Sequence, residues 1–337
     1  MQPPIPSGKA SMGALSPLER FSRRRFVNAG AVSLVFHTAL ARAQKVPPNT
    51  PLPPNDAAQV AAGKDIANHL TIDVALNGKG PFRFVVDTGA DRSVIAEDVA
   101  VQLGLLRLRQ VMVEGVVRTI PAQTVKLSSI SFGQISREDL EVPVLPRTLL
   151  AADGYLGLDA IDGYRVTFDF KNHALTIERP QYGTFIGWNP PAEARVSVVG
   201  RYGHLRNAAG KADGVRVTAF IDTGAEVSCG NEKLLQALME ISPTYARPDV
   251  VPLTGVTGGV IQGHITTIKR VHLGGLTLGG CNVVIANLQI FDLWGLQDTP
   301  ALLIGMNFLR GFSQVSIDYG RRELWFEIAR LMFAARA

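Results

Sequence analysis

Only two cysteines, Cys229 and Cys281, occur among 337 residues. A dense disulfide framework is therefore excluded, and the fold has to rest on buried apolar surface. One bridge between the two, or two buried thiols, both stay open at this point. Histidine is scarce as well: His37, His69, His173, His204, His264 and His272 are scattered without metal-ligand spacing. No metal is expected, and no other cofactor. A dinucleotide-type Gly-x-Gly-x-x-Gly after a strand and a Gly-Lys-Ser/Thr phosphate loop are both missing. Gly255-Val256-Thr257-Gly258-Gly259 is glycine-rich, but reads as a hairpin turn.

Charge of one sign is missing too, once the first residues are set apart. The formal net charge is +5, yet residues 1–43 carry Lys9, Arg20, Arg23, Arg24, Arg25 and Arg42 against Glu19 alone. Taking those six from 34 basic side chains, and that one from 29 acidic side chains, leaves 28 of each. With no basic stripe, neither nucleic acid nor an anionic membrane is expected as a partner. Residues 29–40 are mildly apolar and broken by Gly, Ser, His and Thr, short of the roughly twenty apolar residues of a membrane span. Ser22-Arg23-Arg24-Arg25-Phe26-Val27 before that stretch, and Ala41-Arg42-Ala43 after it, resemble a bacterial twin-arginine export signal. The resemblance implies a mature chain beginning near Gln44, periplasmic or secreted, with no stable membrane anchor after cleavage. A basic amphipathic helix on a cytosolic protein is the alternative.

What the chain does have is a duplication. Asp87-Thr88-Gly89-Ala90 and Asp222-Thr223-Gly224-Ala225 each end an apolar run, 135 positions apart. In register with them, Ser93 matches Ser228, and helix-like stretches follow at Glu97–Leu103 and Asn231–Met239. Val113-Glu114-Gly115-Val116 then matches Leu253-Thr254-Gly255-Val256, a strand-turn-strand arm in each half. Tyr155-Leu156-Gly157-Leu158-Asp159 matches Leu303-Ile304-Gly305-Met306-Asn307, and Val166–Asp169 matches Val315–Asp318. A repeat of this length means two related lobes of domain size. Short strands between Gly-rich turns, with Asn77-Gly78-Lys79-Gly80 a hairpin by composition, predict a mostly β protein of two closed-barrel lobes. The boundaries read as a signal over 1–43, a Pro-rich disordered leader over 44–68, an N-terminal lobe over 69–180, a linker over 181–194 and a C-terminal lobe over 195–330. Before Asp222 an inserted stretch, Tyr202–Gly214, is expected. Phe291-Asp292-Leu293-Trp294-Gly295 has no aromatic counterpart in the first half, and either packs locally or lines a cleft.

These marks resemble an aspartic peptidase, specifically two retroviral-type (retropepsin-like) domains fused in tandem with pseudo-two-fold symmetry, over roughly residues 69–327. Pepsin-type enzymes share the plan, but usually carry Ser or Thr where Ala90 and Ala225 stand. The resemblance implies that Asp87 and Asp222 are catalytic, that Thr88, Gly89, Thr223 and Gly224 support the catalytic turns, and that Gly115 and Gly255 sit in flap turns. It implies an endopeptidase acting on a peptide or unfolded protein, and a monomer, since a fused pair completes its own site. A catalytically silent peptide-binding module of the same fold is the alternative. Two carboxylates brought together share a proton and act as acid and base at once. Without a hydroxyl after either Gly to lower the pair's pKa, a mildly acidic to neutral optimum is expected.

Overall fold

The computed structural model describes residues 70–179, 210–245, 249–274 and 276–327 in full. Outside them it describes the backbone of strands Val35–His37, Ala57–Ala61, Gly63–Lys64, Glu193–Ser197 and Val199–Arg201, and the start of His204–Ala212. Apart from Val35–His37, which pairs with Met112–Glu114, the export-signal reading lies outside the described residues.

Each lobe begins with a tight hairpin whose turn residues dictate its geometry. Asn77 and Gly78 have φ of 52° and 73°, and Asp213 and Gly214 have 45° and 94°. Two consecutive left-handed residues make the turn whose twist matches paired strands, which is why Asn-Gly and Asp-Gly stand there. In the first lobe Leu70–Leu76 and Lys79–Val86 form this hairpin, and the sheet runs on through Gly154–Leu156, Val94–Ala96, Ile135–Leu145 and Thr119–Phe132. Ala75 and Leu76 pair with Ser131 and Ile130, which closes the sheet on itself. The barrel is filled by Phe84, Tyr155, Ile72, Ile95 and Leu127, all fully buried.

The second lobe repeats this order. His204–Ala212 and Val215–Ile221 form the hairpin, followed by Ala301–Ile304, Cys229–Gly230, Cys281–Ile285 and Val260–Ile268. After Lys269 and Arg270 the chain resumes as Val271–Leu273 and pairs back onto Lys211 and Ala212. The helices fall where the repeat placed them, at Glu97–Gln102 and Glu232–Ile241. Asn231 caps the second, accepting from the Leu234 amide at 3.0 Å.

One reading is corrected. Tyr202–Gly214 is not an insertion, because His204–Ala212 is the first hairpin strand and Asp213-Gly214 is the counterpart of Asn77-Gly78. The Asn-Ala-Ala-Gly-Lys run has little intrinsic preference for a strand and is held there by pairing on both sides. Strands Ala57–Ala61 and Gly63–Lys64 lie inside the expected leader, and Glu193–Ser197 begins inside the expected linker. The prolines at 47–54, which suggested a tether, end before Ala57.

Those edge strands complete a six-stranded sheet between the lobes, in the order Glu193–Ser197, Glu323–Glu327, Gln314–Asp318, Arg165–Asp169, Ala174–Glu178, Ala57–Ala61. Its centre is the pseudo-two-fold axis, where Thr167 faces Ser316 with hydroxyls 2.9 Å apart. Off the axis the symmetry breaks. Arg165 donates to Asp318 Oδ2 from Nε at 3.1 Å and from Nη2 at 3.0 Å, while the symmetric position opposite Asp169 holds Gln314. Asp318 is fully buried, and its other oxygen accepts from the Arg321 amide. Removing Asp318 leaves Arg165 only the partly exposed Glu178, at 3.5 Å, in place of its buried partner. Asp318→Ala is therefore expected to destabilise the chain by about 3–5 kcal/mol in denaturant unfolding, and a loss under 1 kcal/mol would mean that solvent replaces the carboxylate.

Candidate active site

Each Asp-Thr-Gly turn starts where a central strand ends. Lys79–Val86 stops before Asp87, and Val215–Ile221 before Asp222. A second strand runs parallel beside each, Gly154–Leu156 along Phe84–Val86 and Ala301–Ile304 along Thr218–Ile221. The Asp87 and Asp222 amides donate to Leu156 O and Ile304 O, both at 3.0 Å. The chain then passes across the turn, with Leu158 N donating to Ala90 O at 2.8 Å and Met306 N to Ala225 O at 2.7 Å. This crossing is so close that only glycine fits. A Cβ on Gly157 would lie 2.4 Å from the Arg92 carbonyl carbon, and one on Gly305 2.7 Å from Ala225 O.

The two turns are locked to each other by their threonines. Thr88 N donates to Thr223 Oγ1 at 3.1 Å, and Thr223 N donates to Thr88 Oγ1 at 3.0 Å. The Thr223 hydroxyl also reaches Val86 O at 2.9 Å. All of these groups are buried, so the exchange takes place without competition from water. Because each threonine directly follows an aspartate, the lock ties the turns that carry Asp87 and Asp222 to one another, and both aspartates are buried, 0% and 3% exposed. Backbone donors orient one oxygen of each carboxyl: Gly89 N to Asp87 Oδ1 at 2.9 Å, and Gly224 N and Ala225 N to Asp222 Oδ1 at 3.0 and 3.3 Å. Ala90 and Ala225 add no hydroxyl.

One neighbour of the turns carries no mark in the repeat. Tyr319 is buried beside the Thr88 side chain. Burial above all, and then the charges of Asp87, Asp162 and Asp222, hold its phenol well above the usual range, so it stays protonated. The first lobe has Phe170 at the matching place after Asp169, which is why comparing the halves does not find Tyr319.

Gly115 and Gly255 each open the turn of a hairpin, Arg107–Glu114 with Thr119–Phe132 and Val250–Thr254 with Val260–Ile268. The two tips touch across the lobes. Arg118 Nε donates to Thr257 O at 2.8 Å, and Thr257 Oγ1 donates back to Arg118 O at 2.7 Å. Val116, Val256 and Thr257 are buried at this contact. Phe291 and Trp294, by contrast, pack locally. Trp294 lies on Phe220 with ring centroids 3.9 Å apart and meets Phe291 edge-on. Cys229 and Cys281 are both free and buried, and burial pushes both thiols up, Cys281 to about 11.

Two closed β lobes, a shared sheet and a pair of interlocked Asp-Thr-Gly turns define a bilobal acid-protease-type fold. A family model described as aspartyl protease matches the chain twice, over residues 72–160 and 208–308, one match in each lobe. With more than half of its residues covered, the chain belongs to the aspartyl protease family. No curated protein matches it.

Beneath the turns the lobes differ in one titratable group. In the first, Asp159 Oδ1 accepts from Ser93 N at 2.8 Å and Ser93 Oγ at 2.7 Å, and Ser93 Oγ accepts from Gly157 N. In the second, Asn307 Oδ1 holds Ser228 in the same way, at 2.9 and 2.7 Å. Although the Asp159 residue keeps some solvent exposure, its carboxyl is enclosed, and burial raises it to about 6 against the pull of Ser93 and Arg92. The folded state thus binds the proton more tightly than the unfolded chain, and stability falls as pH rises from about 4 to about 6. Asp159→Asn, which copies the Asn307 arrangement, is expected to gain on the wild type between pH 4 and pH 7, by at most about 3 kcal/mol. Thermal unfolding at both pH values checks this, and an offset independent of pH would mean that Asp159 is ionised throughout.

Proposed function

We propose that the chain is an aspartic endopeptidase in which Asp87 and Asp222 act as a dyad on one water. What supports this reading is the reciprocal Thr88–Thr223 lock, which ties together the two turns that carry the buried Asp87 and Asp222. Like charges so placed cannot both ionise freely, so the pair holds one proton in common. The ionised member takes a proton from water as its oxygen attacks the peptide carbonyl, and the protonated member donates to the carbonyl oxygen. Collapse of the tetrahedral adduct expels the amine, which leaves protonated. No covalent enzyme intermediate is needed. Thr88, Gly89, Thr223 and Gly224 hold the turns, and the hairpin tips at Gly115 and Gly255 act as flaps. An extended peptide or unfolded protein pairs its backbone with the flap arms, and the Arg118–Thr257 contact parts to admit it. The chain needs no second copy to complete the site. The signal-like residues 1–43 make the periplasm, or the exterior, the proposed compartment.

Cleavage of a mixed peptide pool by the chain from Gln44 onward tests the proposal. Asp87→Asn and Asp222→Asn are each expected to lower the rate at least about 100-fold while peptide binding survives. Equal cleavage by all three proteins would remove the dyad from the mechanism, and binding without cleavage by any of them would make the chain a peptide-binding module. Lacking a hydroxyl at Ala90 and Ala225, the wild type is expected to work best at mildly acidic to neutral pH. An optimum below about pH 3.5, near unperturbed carboxyl values, would contradict that.

A further inference from the structure

The two hairpin tips are fastened to the opposite lobe by different means. In the first lobe the turn over residues 115–118 closes with Glu114 opposite Thr119, and in the second the turn over residues 255–259 closes with Thr254 opposite Val260. Val260 therefore takes the place of Thr119. The Thr119 hydroxyl accepts from Gln289 Nε2 at 2.6 Å, a partly buried bond that ties the first hairpin to helix Gln289–Leu293 of the second lobe. Val260 has no hydroxyl to offer and is 59% exposed.

The donor is missing from the other half as well. Ile95 pairs with Val144, and its counterpart Gly230 pairs with Ile285, so counting on from those partners Thr148 stands where Gln289 does. Glutamine carries its amide at the end of a long side chain, whereas the threonine hydroxyl sits on Cβ and has little reach. Gln289 also has a firm base, because Leu288 and Ile290 on either side of it are fully buried. Among the described residues no hydrogen bond joins the second hairpin to the body of the first lobe. Its bonds across the lobes go to Arg118, on the other hairpin tip. What it meets in the first-lobe body is apolar: a Cβ built on Gly258 would lie 3.5 Å from Leu149 Cδ2.

We propose that Gln289 is a positioning residue: given the reading of the hairpins as flaps, on which this rests, it latches the first-lobe flap closed, and no residue does the same for the second. It acts through Thr119 and the flap, and leaves the aspartates untouched. A hydrogen bond between neutral partners, partly shielded from water, shifts the balance between closed and open flap by about fivefold. A peptide that is held only by the closed flap then binds more weakly in proportion to the closed fraction that is lost. The first flap thus opens against a latch, and the second without one.

Hydrogen exchange on the full chain tests this, since it reads each hairpin separately and needs no turnover. Thr119→Val, which copies Val260, and Gln289→Leu are each expected to speed exchange over residues 107–124 about fivefold, with a smaller change over residues 250–268. The double variant is expected to go no further than either single one, because both remove the same bond. Gln289→Glu is expected to keep the protection, its carboxylate accepting from the Thr119 hydroxyl. With a cleavable peptide, loss of the latch is expected to raise KM about fivefold while both limbs of the pH profile stay in place. A wild type that cleaves no peptide removes the peptidase reading and leaves the exchange comparison to decide on the latch. Unchanged exchange in the single variants, additive effects in the double variant, an equal gain over residues 250–268, lost protection in Gln289→Glu or a displaced pH profile would overturn the proposal.

Discussion

The exchange of two hydrogen bonds between Thr88 and Thr223 is the constraint on which the rest of the molecule depends. Each threonine offers its amide and accepts with its hydroxyl, so neither turn is satisfied without the other. A buried amide left without its acceptor costs about 1–3 kcal/mol, and the lock answers two such needs at once. Much of the architecture serves to deliver these residues to one place. The central strands end at the aspartates, the crossing segments pass through Gly157 and Gly305 to hold the turns from one side, and the shared sheet fixes the angle between the lobes.

That shared sheet explains how a duplicated chain tolerates divergence. Positions on the axis, such as Thr167 and Ser316, still pair as near-equals. Away from it each half has acquired a chemistry of its own: Arg165 with Asp318 across the sheet, Tyr319 in place of Phe170, Asp159 in place of Asn307, and Thr119 in place of Val260. Each difference leaves the backbone hydrogen bonds of its element intact. The framework is symmetric because hydrogen-bond geometry demands it, while side chains around it differ between the halves, Tyr319 beside Thr88 included.

Much of this was legible in the sequence, for identifiable reasons. A carboxylate fixed by a tight turn after an apolar strand leaves a compact local pattern, and a second copy 135 positions on turns a weak motif into a strong one. The helix after each turn, the hairpins that turn at Gly115 and Gly255 and the crossing segments were readable in the same way, because each depends on neighbours in the chain. What escaped depends on partners far away. The strand His204–Ala212 lacks β-formers and is imposed by its neighbours in the sheet. Ala57–Ala61 gains its strand only by pairing with Ala174–Glu178. Tyr319 lies beside Thr88, far away in the chain, and Arg118 meets Thr257 139 residues on. The aromatic segment 291–295 left two readings open, and burial of Phe291 and Trp294 decided for packing.

The account stands or falls on whether Asp87 and Asp222 form one titrating unit. Carboxyl carbon resonances of the chain labelled with ¹³C-aspartate, assigned through the two Asp→Asn variants and followed over pH, measure this directly. The account predicts two well-separated steps, each sensed by both residues, with one proton held between them through the mildly acidic range. Two independent single steps near ~3.9, each unmoved when the other residue is replaced, would contradict it.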